Sequence, residues 1–473
     1  MRRLRWHDYI TTNIYWLGLM TVLQSNGLIV PLLVQKFVGP EQQATAFGRL
    51  RLYTLMVALL VQTLIGILSD RSTLQWGRRR PFILVGTLLN MAGMIAIGLS
   101  PGYWFIFGAV MLSQIASNIA HGAEQGLIPD LVPKDHRGRF SGIKSVMELP
   151  VPVIIVALTI GNLIAEGRMW TGILVATSIL FLSMTITMFV REEPLREPPG
   201  PLDWKPFGRI VAMTLVFLIV ILGLGKCVEG ISSLLDNVDS VTTLLVVMGI
   251  TGLLAMITTV VGGVWACVHI SIGREKAQRY SSFTWWVINR LAFLVGATNL
   301  SAFAIYFLQA RLGLEDEAAA KPASQLMMVI GIWILLCALL SGWLTDRVGR
   351  KQLVALSGVA AAVGVLVLVL VPNMTMIYVG GCIIGAATGT FFAANWALGT
   401  DVVPKEEAGR YLGISNLAGA GAGAVGSYIG GPIADYFTVH VPQSPGLGYL
   451  LIFAIYGILF LLSAFVLIQV QEV

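Results

Sequence analysis

Long apolar runs separated by short polar loops follow one another along almost the whole of the 473-residue chain. A helix needs about 20 apolar residues to cross the hydrocarbon core of a bilayer, and each run has about that length. The pattern therefore predicts an all-α, polytopic membrane protein. Its fourteen predicted spans cover residues 9–34, 48–69, 81–100, 103–129, 140–165, 169–190, 207–224, 241–269, 283–310, 324–345, 352–371, 374–400, 410–437 and 446–470.

Two pairs of polar loops indicate that a six-helix unit occurs twice. Residues 66–83 read GILSDRSTLQWGRRRPFI, and residues 342–351 read the shorter GWLTDRVGRK. Segments 126–143 and 397–414 share nine identical residues at a constant offset of 271 positions. Because the two pairs occur in the same order along the chain, we infer an internal duplication.

The duplication predicts how the chain is divided. The proline- and charge-rich segment after the sixth span cannot form the interior of a helix and is interpreted as a linker. Both copies must face the same side to keep their basic loops cytoplasmic, so an even number of spans has to separate them. The predicted parts are an N-terminal six-helix half at 1–190, a cytoplasmic linker at 191–206, two inserted helices with their loops at 207–282 and a C-terminal six-helix half at 283–473.

Composition and charge exclude several classes of protein. A chain with 56% hydrophobic and only 12% charged residues cannot be a soluble domain. The net charge of +6 comes from Lys and Arg concentrated in loops on one side of the predicted membrane, which favours the lipid bilayer as a partner and argues against nucleic acid. The residues form no nucleophile, metal or phosphate-binding motif, so we expect neither an enzyme nor a cofactor or metal. We expect a monomer in the plasma membrane with both termini cytoplasmic.

The paired loops resemble those of the major facilitator superfamily, in which a G-x-L-x-D-R-x-G-R-K motif follows the second helix of each half. Within that family, Asp70 and Arg71 followed by WGRRRPFI resemble the loop of sucrose transporters and the related glycoside and pentoside cation symporters. The resemblance implies two six-helix halves that rock around a cavity lined by spans 1, 4, 7 and 10 of a twelve-helix core. The chain differs in its two extra spans, as in some fourteen-helix facilitators and peptide symporters, and in the absence of an acid at 52–69.

The loops predict a cytoplasmic latch. A carboxylate at the C-terminal end of a helix opposes the helix dipole, so Asp70 needs a cation or the N-terminus of another helix as its partner. The resemblance suggests the start of span 11 of the twelve-helix core near 409–412, and the repeat predicts a mirrored contact from Asp346 to the start of span 5. A solvated basic loop is the alternative. The predicted gating residues are Asp70, Arg71, Gly77, Arg78, Arg79, Asp346, Arg347 and Arg350.

Ionisable residues at membrane depth are costly and indicate function. The offset of 271 maps the four such residues of spans 4 and 5 onto the uncharged Phe392, Asn395, Ser415 and Gly419, so the fold itself does not require these charges. We predict that Glu124 carries a proton. The alternative for the pair in span 5, which is spaced i, i+4, is a purely structural ion pair. The predicted proton-coupling residues are His121, Glu124, Lys144 and Glu148, with Arg290 as the opposing charge.

Amide and indole side chains on the same spans suit a hydroxyl-rich ligand, although each is also compatible with an interhelical hydrogen bond. The predicted substrate contacts are Gln24, Asn26, Gln125, Arg290, Asn299, Asn395 and Trp396. The resulting hypothesis is a proton-coupled symporter of a sugar or glycoside. A drug or lipid exporter of the same fold and a membrane assembly or scaffold protein that retains the fold are the alternatives.

Overall fold

The computed structural model describes residues 6–133, 136–190, 192, 204–370, 373–403 and 408–471, except for the side chains of residues 55, 137, 138, 206, 346, 408–410, 412 and 413. Across these ranges the secondary structure is helical. The helices are α1 (Trp6–Thr11), α2 (Ile14–Val38), α3 (Gln43–Asp70), α4 (Arg80–Gly98), α5 (Tyr103–Glu124), α6 (Leu127–Leu131), α7 (Arg137–Glu148), α8 (Pro150–Ile155), α9 (Gly161–Ala165), α10 (Met169–Thr187), α11 (Lys205–Leu234), α12 (Val241–Thr258), α13 (Val264–Ile272), α14 (Arg274–Arg279), α15 (Ser281–Ala302), α16 (Ala304–Leu312), α17 (Ala320–Val348), α18 (Arg350–Leu370), α19 (Met374–Val402), α20 (Ala408–His440) and α21 (Leu447–Val466).

The helices confirm an all-α membrane protein. Twelve segments of the described chain are long and apolar enough to cross a membrane, and the pair α15 and α16, bent by 54°, would make thirteen. Helix α20 is not among them, although its 33 residues exceed the length that a bilayer requires. Its many glycines lower the mean hydropathy of the helix. The count of fourteen spans is therefore not confirmed and stays a prediction.

Two helices extend well beyond their predicted spans. Helix α3 begins at Gln43 rather than at residue 48, five residues before the predicted start. Helix α11 continues to Leu234, through most of the polar segment that was expected to connect the two inserted spans. In both helices the charged side chains find partners, so polar residues do not mark the helix ends.

Two membrane-length helices contain a widened turn. Residues Val156–Ile160 lie between α8 and α9, and residues Thr259–Gly263 lie between α12 and α13, each in π-helical conformation. A π-helical turn interrupts the regular i to i−4 bonding of an α-helix and occurs mostly as a single turn. Each of the two spans nevertheless continues through its π-helical turn as one helical segment.

The chain forms two compact units. The first comprises the described parts of residues 1–33, 57–207 and 316–328, and the second those of 34–56, 208–315 and 329–473. The units follow the predicted halves except at two segments, residues 34–56 and 316–328, each of which packs with the helices of the other half. The domain boundaries at residues 190, 206 and 282 are defined by the sequence repeat and stay a prediction.

Small residues let helices approach closely inside each unit. In the first unit, a Cβ at Gly86 of α4 would lie 2.9 Å from the Cβ of Ala120 of α5. In the second unit, the inserted helices pack on the six-helix framework through Phe217 of α11, whose ring atoms would lie 2.5 Å from a Cβ at Gly421 of α20. Helix α12 also contacts α20 and α21. The inserted pair is thus part of the core of the second unit.

Candidate functional site

Glu124 is the last residue of α5 and lies in the core of the first unit. Only 1% of its surface is exposed. Neither carboxylate oxygen has a hydrogen-bond partner in the part of the chain that the structure describes. Ionised carboxylates in protein interiors are normally paired or hydrogen-bonded, because burial of an unpaired charge is costly.

Trp16 of α2, which is 1% exposed, contacts two of the other predicted proton-coupling residues. The indole ring meets the His121 imidazole edge to face, with ring centroids 5.0 Å apart and planes at 90°. On α7, the Lys144 Nζ lies 4.0 Å from the centroid of the same indole, in a cation–π contact. Helices α2, α5 and α7 thus bring the predicted proton-coupling residues together.

Two of these residues form the ion pair that their spacing predicted. Lys144 Nζ lies 3.3 Å from Glu148 Oε2, and both side chains are partly exposed. The exposed Gln125 places its Nε2 3.0 Å from His121 Nε2, which makes it a neighbour of the cluster. Gln24 and Asn26 are half-buried on α2, and Asn26 Oδ1 is buried without a hydrogen-bond partner among the described residues.

A second cluster surrounds Arg290 in the middle of α15 in the second unit. Its Nη1 donates to Asn395 Oδ1 of α19 at 3.0 Å. Asn395 is fully buried, and its Nδ2 donates to Asn289 Oδ1 at 2.7 Å. Asn289 Nδ2 in turn donates to the backbone oxygen of Ser463 at 2.7 Å. This chain of amides fixes the Asn395 oxygen in front of the guanidinium.

Two indoles flank the same guanidinium. The Arg290 Cζ lies 6.0 Å from the Trp286 ring centroid and 5.5 Å from that of Trp396. Trp286 is fully buried and donates from Nε1 to the Asn395 backbone oxygen at 3.0 Å, whereas Trp396 is 46% exposed. Arg290, Asn395 and Trp396, three of the predicted substrate contacts, therefore lie together.

Asn299 of α15 lies apart from this cluster and is fully buried. Its Oδ1 accepts from Arg51 Nη1 at 2.8 Å and from Ser427 Oγ at 2.6 Å. Its Nδ2 donates to the backbone oxygens of Val295 at 2.8 Å and Ala422 at 3.0 Å. All four hydrogen-bonding positions of the amide are used. This is the interhelical hydrogen bonding that the sequence analysis gave as the alternative to a substrate contact.

Sequence analysis did not single out two charged residues that lie inside predicted spans. Arg51 lies inside the predicted span at 48–69, and Asp435 lies inside the predicted span at 410–437. The carboxylate of Asp435 accepts backbone N–H bonds from Ala44 at 3.0 Å and Thr45 at 2.7 Å, in the first turn of α3. Their positions within predicted spans were the signal that would have identified both.

The loop after α3 is organised by Arg79, which is 5% exposed. Its guanidinium pairs with Asp70, donates to Asp130 Oδ2 from Nε at 3.0 Å and donates to Ser69 Oγ from Nη1 at 2.6 Å. Arg78 also pairs with Asp130. This hydrogen bond raises the pKa of Arg78 above its ordinary value. Asp70 thus has a partner on its own loop.

Gly77 and Glu192 complete this loop. Gly77 has φ +125°, in the region that favours glycine, and a Cβ there would lie 2.5 Å from Glu192 Oε2. The same Glu192 oxygen accepts the backbone N–H of Arg79 at 2.9 Å and of Arg80 at 3.1 Å, at the start of α4. Glu192 of the predicted linker is therefore bound to the loop, a contact that the sequence did not predict.

The repeated loop in the second unit has a corresponding ion pair. Arg350 Nη1 lies 2.5 Å from both carboxylate oxygens of Asp401, which stands at the position equivalent to Asp130. Arg347 is exposed, and its guanidinium stacks over the Trp343 ring at 4.0 Å. Arg71 lies half-buried at the end of α3. The side chains of Asp346 and of most of segment 409–412 fall outside the described part of the chain, so the predicted latch stays a prediction.

Comparison with known proteins agrees with this architecture. The family model described as Major Facilitator Superfamily matches residues 15–311 and 286–472. The minor myo-inositol transporter IolF of Bacillus subtilis is 30% identical over 136 residues, which are 28% of this chain and 29% of the relative. The sucrose transport protein SUC3 of Arabidopsis thaliana is 31% identical over 110 residues, which are 19% of this chain and 18% of the relative. The chain thus matches less than a third of the length of either relative.

A solved structure shows the same fold over nearly the whole chain. The peptide transporter POT in complex with alafosfalin superimposes with a TM-score of 0.68 at 16% identity, covering 97% of this chain and 93% of that one. The relatives named here are transporters, not enzymes. The chain therefore belongs to the Major Facilitator Superfamily of membrane transporters.

Proposed function

We propose that this protein is a secondary active transporter that works by alternating access and couples a proton to the movement of a small polar solute of the sugar or glycoside class. The proposal rests mainly on the carboxyl of Glu124, which is buried in the first unit with no hydrogen-bond partner for either oxygen among the described residues. An ionisable side chain inside a membrane span is typical of a functional site.

An ionised Glu124 is costly in this conformation, because no described residue donates a hydrogen bond to its carboxylate or forms an ion pair with it. Lys144, the cation of the cluster, is paired with Glu148 and lies over the Trp16 ring. The conformation is therefore favoured by proton binding at Glu124, and release of the proton accompanies a conformation in which the carboxylate gains water or a partner.

The substrate class is supported by the comparisons and by the second cluster. The relatives transport myo-inositol and sucrose by their names, and both solutes are rich in hydroxyl groups. Amides and an arginine hydrogen-bond to hydroxyl groups, and the exposed Trp396 offers a ring face on which a sugar can stack. These chemical properties support a polyhydroxylated solute.

Proton-coupled uptake into proteoliposomes tests the proposal. Purified protein is reconstituted with a pH-sensitive dye inside the vesicles and challenged with labelled sugars under an imposed pH gradient. We expect Glu124→Gln to lose proton-driven accumulation while retaining exchange of solute down its gradient. Glu166→Gln, in an exposed loop, is the matched control and should behave as the native protein. Native-rate accumulation by Glu124→Gln would disprove the assignment.

The same assay separates the alternatives. Outward movement of lipophilic cations or lipids, without uptake of any sugar, would favour an exporter. Full function in cells of a variant with both Glu124 and Arg290 neutralised would favour an assembly or scaffold protein.

A further inference from the structure

We propose that the two inserted helices regulate the conformational cycle: Glu229 of α11 holds the first half of α3 on the second unit, and Lys226 retains this carboxylate when α3 is released. The inference goes beyond the proposed function, which gives the inserted helices no part, and it rests on that function for the alternating movement. Its basis is a carboxylate shared between a cation of its own helix and a cation of α3.

Helix α3 contributes to both packing units. The sequence repeat assigns the whole helix to the N-terminal half, whereas residues 34–56 pack with the second unit and the residues after them with the first. In an alternating-access cycle the two halves move relative to each other. The contacts that residues 43–56 make with α11 and α20 are therefore contacts that the cycle has to break and form again.

Glycines bring α3 and α11 close to the same residue of α20. A Cβ at Gly48 of α3 would lie 3.2 Å from Tyr428 Cα, and a Cβ at Gly225 of α11 would lie 2.6 Å from Tyr428 Cδ1. Small residues permit such a close approach of helices. Arg49 and Glu229 follow the two glycines by one and four residues. The packing on α20 therefore brings these two charges together.

The ion pair between α3 and α11 is weak enough to break. Arg49 Nη2 lies 3.5 Å from Glu229 Oε1, and 45% of the arginine side chain and 25% of the glutamate side chain are exposed. No described residue donates a hydrogen bond to this Oε1. Partly exposed ion pairs of this kind contribute little to stability. The pair is therefore suited to shift a conformational balance by a small factor without locking it.

Lys226 gives the same carboxylate a second partner. It lies on α11, three residues before Glu229, and its Nζ pairs with Oε2, whereas Arg49 faces Oε1. Release of α3 thus leaves Glu229 with a cation, so the partly buried charge is not left unpaired. In the held state the two cations share one carboxylate and repel each other. Arg49 therefore favours the held state, and Lys226 favours the released state.

The second inserted span fixes α11 to the second unit. Cys267 Sγ of α13 donates to the Met213 backbone oxygen of α11 at 3.4 Å. On α12, a Cβ at Gly249 would lie 3.2 Å from Leu451 Cδ1 of α21. Glu229 is thereby anchored to the helices of the second unit and does not follow α3 when α3 moves.

Distances between two spin labels test the inference. Nitroxides are attached at Gln42→Cys, an exposed position just before α3, and at Asn237→Cys, an exposed position after α11. The native cysteines other than the buried Cys267 are replaced by alanine. Double electron–electron resonance on the purified protein in lipid nanodiscs, without solute or proton gradient, measures the fractions with the held distance and with a longer, released distance.

We expect Glu229→Gln and Arg49→Gln each to increase the released fraction about threefold, which is the effect of a weak ion pair. The double variant should equal either single variant, because both changes remove the same interaction. Glu275→Gln, in the exposed part of the short helix α14, is the matched control and should leave the released fraction unchanged.

Lys226→Gln separates regulation from a merely structural role. We expect it to lower the released fraction about threefold, because Arg49 then has the carboxylate to itself. Changes in the same direction for Lys226→Gln and Arg49→Gln are the result of a structural cluster, and they would overturn the inference.

Failure of the inference and failure of the proposed function are distinguishable. An unchanged released fraction in Glu229→Gln, or a single distance in every variant, would refute the hold on α3 and leave the proposed function standing. Absence of solute uptake by the native protein in proteoliposomes would refute the proposed function. The label distances are measured without solute, so they still decide whether α11 holds α3.

Discussion

At the scale of the residue, the clearest contrast is between two buried polar side chains. Glu124 has no partner for either oxygen in the described structure, whereas Asn299 has a partner at all four positions. A satisfied side chain stabilises its conformation, and an unsatisfied one stores free energy that a ligand, proton or movement can release. We therefore expect Glu124 to contribute to function and Asn299 to contribute to the stability of the fold.

We expect Asn299→Ala to destabilise the protein by about 1–3 kcal/mol, because the Arg51 guanidinium loses its amide partner inside the second unit. The midpoint of thermal unfolding in detergent measures the change. Asn373→Ala is the matched control, since this asparagine only caps the exposed start of α19 by accepting the Met376 N–H at 2.9 Å. Its loss should cost about 1 kcal/mol. Equal midpoints for the two variants would contradict the structural role of Asn299.

At the scale of the element, a carboxylate from one helix holds the start of another. Asp435 of α20 accepts the Ala44 and Thr45 N–H groups at the N-terminus of α3, where the helix dipole favours a negative charge. The inserted helix α11 adds a second link, since Glu229 lies 3.5 Å from Arg49 of α3. Helix α3 is therefore fixed at its first turns by two other helices of the second unit.

We expect Asp435→Asn to weaken this link by about 1 kcal/mol, because the amide lacks the charge that complements the dipole. Hydrogen exchange of the backbone amides at residues 43–50, followed by mass spectrometry, should become about fivefold faster. Asp236→Asn is the control, because Asp236 is exposed in a loop and pairs with His440 at 3.4 Å. Unchanged exchange in Asp435→Asn would show that the charge does not hold α3.

Local sequence patterns were sufficient to predict the helices, but not the contacts between distant helices. The apolar runs identified nearly all membrane-length helices, and the i, i+4 spacing of Lys144 and Glu148 anticipated their ion pair. Arg51 and Asn299 are 248 positions apart, and Ala44 and Asp435 are 391 apart. No local pattern predicts such a pairing, because it depends on how distant helices pack.

At the scale of the whole molecule, the number of spans determines which side each terminus faces. Twelve or fourteen spans place both termini on one side, whereas thirteen would separate them. The positive-inside rule predicts that this side is the cytoplasm. The difference between twelve and fourteen spans depends on whether the bent pair α15 and α16 and the glycine-rich α20 each cross the membrane. Both belong to the second unit.

We expect reporters fused to the N-terminus and to the C-terminus to be accessible only from the cytoplasm. A tag inserted after Gly167, in the turn between α9 and α10, is predicted to be external and serves as the control. Protection of the two terminal tags in intact cells, and exposure of both after permeabilisation, is the expected result. Opposite locations for the two termini would support thirteen spans and contradict the even insertion inferred from the repeat.

The burial of Glu124 has a consequence for energy conservation in the cell. A carboxyl of which 1% is exposed cannot exchange its proton with bulk water while α2, α5 and α7 remain packed around it. In the proposed role, a proton enters or leaves only when the helices separate. Slippage of protons through the resting protein is thereby suppressed, and the cell's proton-motive force is not dissipated when no solute is present.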